Sequence, residues 1–227
     1  MKNPATEARA DSRRLYENCE LTAIAARWDA KAGTWDRDLA DPACHLNEDD
    51  GYARFLRRAH ALVKQRRGFC AAHGVIDAGC GTGLVLEAVL PAFAWGAGVD
   101  ISEGMIRVAR GKGLERAKFF VGDCFHLAAL CPKAGAVFSR GVLLSHYGRK
   151  NGELLLRAGR EALLPGGFLL FDFLNRAGRD SSLHAPENKT YFAPLEVFAM
   201  ARCAGFRKAR ILGHASRRVR MVFAEVD

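Results

Sequence analysis

The sequence has no hydrophobic run near the ~20 residues that a helix needs to cross a bilayer. Its N-terminal stretch also lacks the apolar centre of a secretory signal, because charged residues recur from Lys2 to Arg14. We therefore expect neither a membrane span nor an export signal. The sequence predicts a cytoplasmic protein.

Paired cysteines are missing as well. The seven cysteines are odd in number and scattered, and no two of them form a Cys-x-x-Cys pair. This pattern excludes a disulfide framework and the usual zinc ligand sets. No cluster of Asp, His or Glu with metal-ligand spacing stands out either, so we predict no metal site.

Negative charge is in the minority: 34 Lys and Arg against 25 Asp and Glu give a formal net charge of +9. A basic protein attracts anions, so nucleic acid is one partner to consider. The basic residues group between Arg54 and Arg67 and between Arg217 and Arg220. Such groups are usually solvated faces and do not favour nucleic-acid binding. The sequence does not indicate an oligomeric state.

The length and composition fit one globular domain with an appendage. The chain has 227 residues, of which 49% are hydrophobic and 26% charged, so it is able to bury a core. Residues 1–70 show helical spacing, with a clear apolar stripe from Tyr52 to Val63 between a cap at Asp50 and an end at Gly68. We expect a helical lid over residues 1–70 and a second unit over residues 71–227.

From residue 74 onward, short β-rich runs alternate with helical stretches, which predicts an α/β fold. The predicted strands are Val75–Ala78, Trp95–Asp100, Ala117–Gly122, Ala134–Ser139, Phe168–Leu174, Lys208–Leu212 and Val219–Val226. The predicted helices between and after the first five are Leu84–Leu90, Ser102–Arg110, Asn151–Leu164 and Pro194–Ala204. Helical crossovers make the strands parallel neighbours, whereas only Gly213–Arg218 separates the last two strands. The sequence thus predicts a seven-stranded, mostly parallel sheet with an antiparallel last strand.

The most informative stretch is the glycine-rich turn after the first strand, Asp77-Ala78-Gly79-Cys80-Gly81-Thr82-Gly83. Glycines at alternate positions let the backbone turn sharply and approach a ligand, and the following helix presents free N–H groups. A nucleotide-like ligand suits this place. The spacing is neither the dinucleotide fingerprint Gly-x-Gly-x-x-Gly nor a Walker loop.

In this turn and in two acidic residues downstream, the sequence resembles the class I S-adenosylmethionine-dependent methyltransferases, over most of residues 74–227. The resemblance implies a Rossmann-like fold and S-adenosylmethionine as cofactor. It also implies that Asp100, at the end of the second strand, accepts hydrogen bonds from the ribose hydroxyls, and that Asp123, after the third, meets the adenine amino group. Ile101 and Phe125 are expected on the two faces of adenine. The remaining cofactor contacts implied by the resemblance are Asp77, Gly79, Cys80, Gly81, Gly83, Cys124 and Ser139.

The acceptor side carries weaker signals. His146 is a candidate general base, because an ordinary histidine has a pKa near ~6.5. Tyr147 and Asn175 are further catalytic candidates. Tyr16, Arg140 and Tyr191 are candidate substrate contacts.

The N-terminal segment is similar to the lid of small-molecule members of the family. In relatives, an aromatic-Asp-x-x-Ala-x-x-aromatic-Asp segment folds over the cofactor, and Trp28 to Asp36 follow this pattern. Trp28 and Trp35 would offer an apolar wall and a cation–π contact to a sulfonium.

Three functions remain open at this point. The first is methyl transfer from S-adenosylmethionine to an O, N or C nucleophile of a small molecule by in-line displacement. The second is a reaction of the cofactor without a methyl acceptor, in which its own amino group attacks the γ-carbon and gives azetidine-2-carboxylate and methylthioadenosine. The third is an RNA-binding methyltransferase or subunit that uses the positive charge.

Overall fold

The computed structural model describes residues 21–40, 51–141, 143–178 and 189–227. The α-helices are α1 (Leu21–Lys31), α2 (Trp35–Ala40), α3 (Gly51–Gln65), α4 (Arg67–Ala72), α5 (Leu84–Val89), α6 (Glu103–Gly111), α7 (Leu127–Leu130), α8 (Arg149–Glu161) and α9 (Pro194–Cys203). Short 3₁₀ helices lie at Leu90–Ala92, Cys124–His126, Leu143–His146 and Arg176–Gly178. Within these described ranges, no helix combines the length and apolarity that a membrane crossing requires.

The strands form one sheet. They are β1 (Gly74–Ala78), β2 (Trp95–Asp100), β3 (Ala117–Val121), β4 (Ala134–Ser139), β5 (Leu163–Leu174), β6 (Lys208–Leu212) and β7 (Val219–Glu225). Their order across the sheet is β3-β2-β1-β4-β5-β7-β6. The first five strands run parallel to one another, and β7 is antiparallel to β5 and β6. The predicted seven-stranded sheet and its antiparallel last strand are confirmed.

Two predicted helix ends are wrong, and both involve glycine or proline. Helix α8 ends at Glu161, and β5 already begins at Leu163, so that Pro165 and Gly166 lie inside this strand rather than after a helix. The register between β4 and β5 shifts at this place, and proline is tolerated in such an irregularity because its missing N–H breaks no ladder bond there. Gly68 does not end a helix but lies within α4. The expected cap, Asp50, lies outside the described residues.

Apolar side chains cover both faces of the sheet and alternate along the strands, as period-2 geometry requires. On β5, Phe168 and Leu170 belong to one buried cluster, whereas Leu169 and Phe171 belong to the other. Helices α3, α5 and α6 complete the first cluster, and α8 and α9 complete the second. Phe55 of α3 is fully buried in this core, so α3 packs on the sheet. The division of the chain at residue 70 stays a prediction.

Candidate active site

A cavity of about 370 Å³ opens at the carboxyl ends of the parallel strands. This is the edge at which open α/β sheets bind ligands, and the volume lies within the range of ligand sites. The cavity is bounded by the loops that follow β1 to β4, the end of β5, the start of β7, and helices α1 and α2. The predicted site residues that line it are Trp28, Trp35, Asp77, Gly79, Cys80, Gly81, Asp100, Ile101, Asp123, Cys124, Arg140, His146 and Tyr147.

The glycine turn forms the floor of the cavity. Gly79, Gly81 and Gly83 have φ values of 70°, 53° and 83°, in the left-handed region that glycine adopts without strain. The N–H groups of Gly79 and Cys80 donate to the carbonyl of Val99 at 2.8 and 3.0 Å, which ties the turn to β2. Gly83 lies behind the cavity, where a Cβ would come within 3.1 Å of the Phe119 ring. This glycine therefore serves packing, whereas the first two face the cavity.

The carboxylate of Asp100 is held in place from both sides. Its Oδ2 accepts from the N–H of Gly81 and its Oδ1 from the N–H of Ser102, each at 2.9 Å. Burial raises the pKa of Asp100, and these two hydrogen bonds oppose the rise. A carboxylate oxygen accepts more than one hydrogen bond, so each oxygen retains capacity for a ligand.

The buried carboxyl group of Asp77 is the clearest indication that the cavity binds a ligand. Its carboxyl group is buried, and Oδ2 has no hydrogen-bond partner among the described residues. Burial, with the nearby Asp100, raises the pKa of Asp77 to about 7. A buried polar atom left without a partner is rare and calls for an explanation. The Ser139 hydroxyl, at the end of β4, is also buried and has no hydrogen-bond partner among the described residues.

The residues after β3 only partly occupy the predicted positions. Asp123 and Cys124 line the cavity, and Asp123 Oδ1 accepts from the N–H of Phe125 at 2.9 Å. The Phe125 ring instead packs edge-to-face on Tyr147, with centroids 4.9 Å apart, and does not line the cavity. Burial raises the pKa of the Cys80 and Cys124 thiols well above the usual value, so both are neutral.

Helices α1 and α2 are fastened over the cavity by acidic side chains. Asp29 Oδ1 accepts from the Ser102 hydroxyl at 2.6 Å and from the N–H of Gly104 at 2.8 Å. Asp36 accepts from the hydroxyl of Thr82 in the glycine turn. Trp28 and Trp35 meet edge-to-face, with ring centroids 5.2 Å apart, and both line the cavity.

His146 lies next to a residue that sequence reasoning missed. The Nζ atom of Lys189 contacts His146 Nε2. Burial, Lys189 and Arg27 lower the pKa of His146 to about 3, so its imidazole is neutral and far less basic than a free histidine. Burial and Arg27 lower the pKa of Lys189 to about 7, whereas Asp172 raises it. The role of His146 as a base stays a prediction.

Other cavity residues missed by the sequence reasoning are Arg27, Lys31, Tyr52, Asp172, Lys189 and Arg218. Asp172 carried a usable signal, because it is the one charged residue in the otherwise apolar run Phe168–Leu174. A carboxyl group inside a buried strand requires a polar partner. Lys189 gave no such signal, because the sequence around it, from Arg179 to Thr190, is largely polar.

Some predicted site residues are not brought to the cavity. Asn175 is fully buried, but its side-chain amide donates to the carbonyls of Ala215 and Arg217 at 2.8 and 2.9 Å and serves the loop before β7. Tyr191 accepts from Arg218 at 3.4 Å and does not line the cavity. Gly83, Phe125 and Ser139 are likewise not among the lining residues. Tyr16 lies outside the described residues.

The comparison with protein families identifies the region that contains the glycine turn. Residues 75–167 match the family described as "Methyltransferase domain". These residues, less than half of the chain, are similar to a methyltransferase domain. The resemblance drawn from the glycine turn and its acidic partners is thereby confirmed.

Curated relatives and solved structures agree with this methyltransferase domain. The ubiquinone biosynthesis O-methyltransferase of Idiomarina loihiensis is 29% identical over 170 residues, 70% of this chain and 60% of that protein. The chain therefore spans well under two thirds of this relative's length. The protein of the same name from Xanthomonas euvesicatoria is 25% identical over 93% of this chain and 88% of its own.

The structural comparison addresses the fold. The crystal structure of magnesium protoporphyrin IX methyltransferase from Synechocystis PCC 6803 with bound SAM has a TM-score of 0.69. It is 20% identical, and the match covers 92% of this chain and 98% of that one. At this identity the likeness establishes the Rossmann-like methyltransferase fold.

Proposed function

We propose that the protein transfers a methyl group from S-adenosylmethionine to an oxygen nucleophile of a small molecule. The observation that carries this proposal is the pair Asp77 and Asp100 beside the glycine turn. One carboxylate is positioned by two backbone N–H groups, and the other is buried with an oxygen that has no partner among the described residues. The choice of oxygen rests on the relatives, which are named O-methyltransferases.

The charges of the floor fit this cofactor. S-adenosylmethionine, when bound, supplies an electrophilic methyl group on a positively charged sulfonium. Asp100 would hold the ribose hydroxyls and Asp77 the ammonium of the methionine part, which would supply the missing partner of Oδ2. Asp123 would accept from the adenine amino group. Because Cys124 lines the cavity and Phe125 does not, Cys124 would replace Phe125 as the contact to adenine.

The chain's own contribution is mainly positioning. Helices α1 and α2 act as a lid, because Trp28 and Trp35 cover the cavity with apolar surface and limit water around the sulfonium. Holding two reactants at attack distance supplies much of the rate enhancement of a displacement reaction. His146 lines the cavity beside Lys189, and its low basicity makes it a weak acceptor for a proton that leaves the methyl acceptor.

A cytoplasmic location and a small-molecule partner belong to the same proposal. All five cysteines within the described residues are free thiols, as expected in a reducing compartment. Basic residues also line the cavity itself, where they would be able to contact a small acidic ligand.

Loss of the lid contact is expected to weaken cofactor binding. Asp29→Ala removes the acceptor of two hydrogen bonds that join α1 to the segment after β2. Because Asp29 is solvent-exposed, we expect about a tenfold rise in the Kd of S-adenosylhomocysteine rather than complete loss. Asp38→Ala is the matched control, since Asp38 is an exposed acid of the same segment that bonds Thr34. Equal affinity of D29A and wild type in isothermal titration would argue against a docked lid.

The function is tested by product analysis. Purified protein is incubated with S-adenosylmethionine, alone and with a set of phenols and catechols, beside an enzyme-free control. Mass spectrometry of the sulfur products should show S-adenosylhomocysteine only when an acceptor is present, together with its methylated product. Methylthioadenosine above the control without any acceptor would instead establish the cyclase alternative. A cofactor that neither reacts nor raises the melting temperature would contradict both.

A further inference from the structure

The acidic and the basic side chains that line the cavity lie mostly in different halves of the sheet. Asp77 and Asp100 lie near the carboxyl ends of β1 and β2, and Asp123 follows β3; these strands form one half of the sheet. Arg140 follows β4 and Arg218 precedes β7, in the other half. The proposed function assigns the acidic half to the cofactor. The basic half is therefore the place of the acceptor.

Lys189 stands in this basic half, beside Asp172 of β5. An ammonium group has three N–H donors, and His146 Nε2 is the hydrogen-bond acceptor that the described part of the chain provides for it. Because the imidazole of His146 is neutral, it does not neutralise the charge of the Lys189 ammonium. Arg27 and Lys31 add positive charge nearby, since both lower the pKa of Lys189.

A single carboxylate among the described lining residues of this half stands beside several cations. Asp172 is the one acid among the described lining residues of this half, and its Oδ2 accepts from the N–H of Gly141 at 3.1 Å. The guanidinium of Arg140 lies over the ring of Tyr52 at 4.8 Å, and Arg218 donates to Tyr191. Positive charge inside a cavity is costly unless an anion accompanies it.

The remaining walls of this half are apolar. Leu143, Leu174 and Val219 line it between the charged groups. A ligand that fits both properties has an apolar body and one acidic group.

We propose that the half of the cavity beside β4, β5 and β7 binds an acidic group of the methyl acceptor, with Lys189 as its principal partner. The shared chemistry is a carboxylate or a phosphate monoester. This assignment rests on the proposed function, because it identifies the other half as the cofactor site. An anion at Lys189 would also favour the charged ammonium, so binding near neutral pH should be accompanied by proton uptake.

The experiment compares an acid with its neutral amide on the full-length protein. The probes are 3,4-dihydroxybenzoate, 3,4-dihydroxybenzamide and phenyl phosphate, titrated by calorimetry with and without saturating S-adenosylhomocysteine. We expect at least one of the two acids to bind roughly tenfold more tightly than the amide. Repeating the titration in two buffers of different ionisation enthalpy measures the proton uptake. The carboxylate and phosphate probes distinguish the two kinds of acid.

Variants assign the preference to the residue. Lys189→Met should remove the preference for the acid and the proton uptake, and leave amide binding unchanged. Lys189→Arg should retain the preference but not the proton uptake. Lys118→Met is the control, because Lys118 is an exposed residue of β3 at the opposite edge of the sheet.

Two results would overturn the assignment. One is equal binding of acid and amide, or no binding of either acid up to about 10 mM. The other is an acid preference that K189M retains. An acid preference without any affinity for S-adenosylhomocysteine would leave the anion site standing and contradict the proposed function instead.

Discussion

Replacing Asp100 with asparagine is expected to raise the Kd of S-adenosylhomocysteine roughly 100-fold. The amide keeps the size of the carboxylate but removes the charge that the ribose hydroxyls would contact. Its NH₂ group would also face a backbone N–H, of either Gly81 or Ser102, where the carboxylate now accepts. Two weakened charge-assisted hydrogen bonds cost about 3 kcal/mol in total, which corresponds to this fold-change.

Isothermal titration of the purified variant checks this value. Glu115→Gln, which neutralises an exposed acid between α6 and β3, controls for the change in net charge. The melting temperature without ligand shows whether D100N folds. A folded D100N that binds S-adenosylhomocysteine as tightly as the control would refute the ribose assignment.

Cofactor binding is expected to weaken as the pH falls below 7. The buried Asp77 has its pKa raised to about 7, mainly by burial, so below that pH the free protein carries a proton on this carboxyl group. Pairing with the ligand ammonium requires the ionised form, and the proton must be released on binding. Between about pH 7.5 and pH 5.5 the amine of S-adenosylhomocysteine stays protonated. As the pH falls through this range, the Kd of this ligand should rise roughly 20-fold.

Asp77→Asn separates this effect from other titrations. The amide cannot ionise, so the variant should bind more weakly at pH 7.5 and show a nearly flat dependence on pH. Asp100 also has a raised pKa and lies next to Asp77. If D77N kept the full slope of the wild type, the dependence would belong to Asp100 or another group, and Asp77 would not contact the ammonium.

The sequence was sufficient for the features that depend on local pattern. The glycine turn and the strand ends at Asp100 and Ser139 follow from spacing and residue type, and the structure contains all of them. Local pattern failed where a long-range contact decides. Phe125 turns toward Tyr147, which stands after β4 and is brought there by the fold.

The missed acceptor-side residues show the same limit. Lys189 reaches His146 across 43 positions of sequence, and Arg218 reaches Tyr191 across 27. No spacing rule links such residues. These charged residues come together only in the folded sheet, where β4, β5 and β7 lie side by side.

Ser102 has a consequence for engineering. Its N–H donates to Asp100, its hydroxyl donates to Asp29, and the same hydroxyl accepts from the N–H of Met105 at the start of α6. One small residue thus joins the covering helix α1, the Asp100 carboxylate and the start of α6. A chimera that exchanges the N-terminal helices with those of a relative would have to preserve an acid at position 29 and a hydroxyl at position 102. The cover and the floor of this cavity are therefore not independent modules.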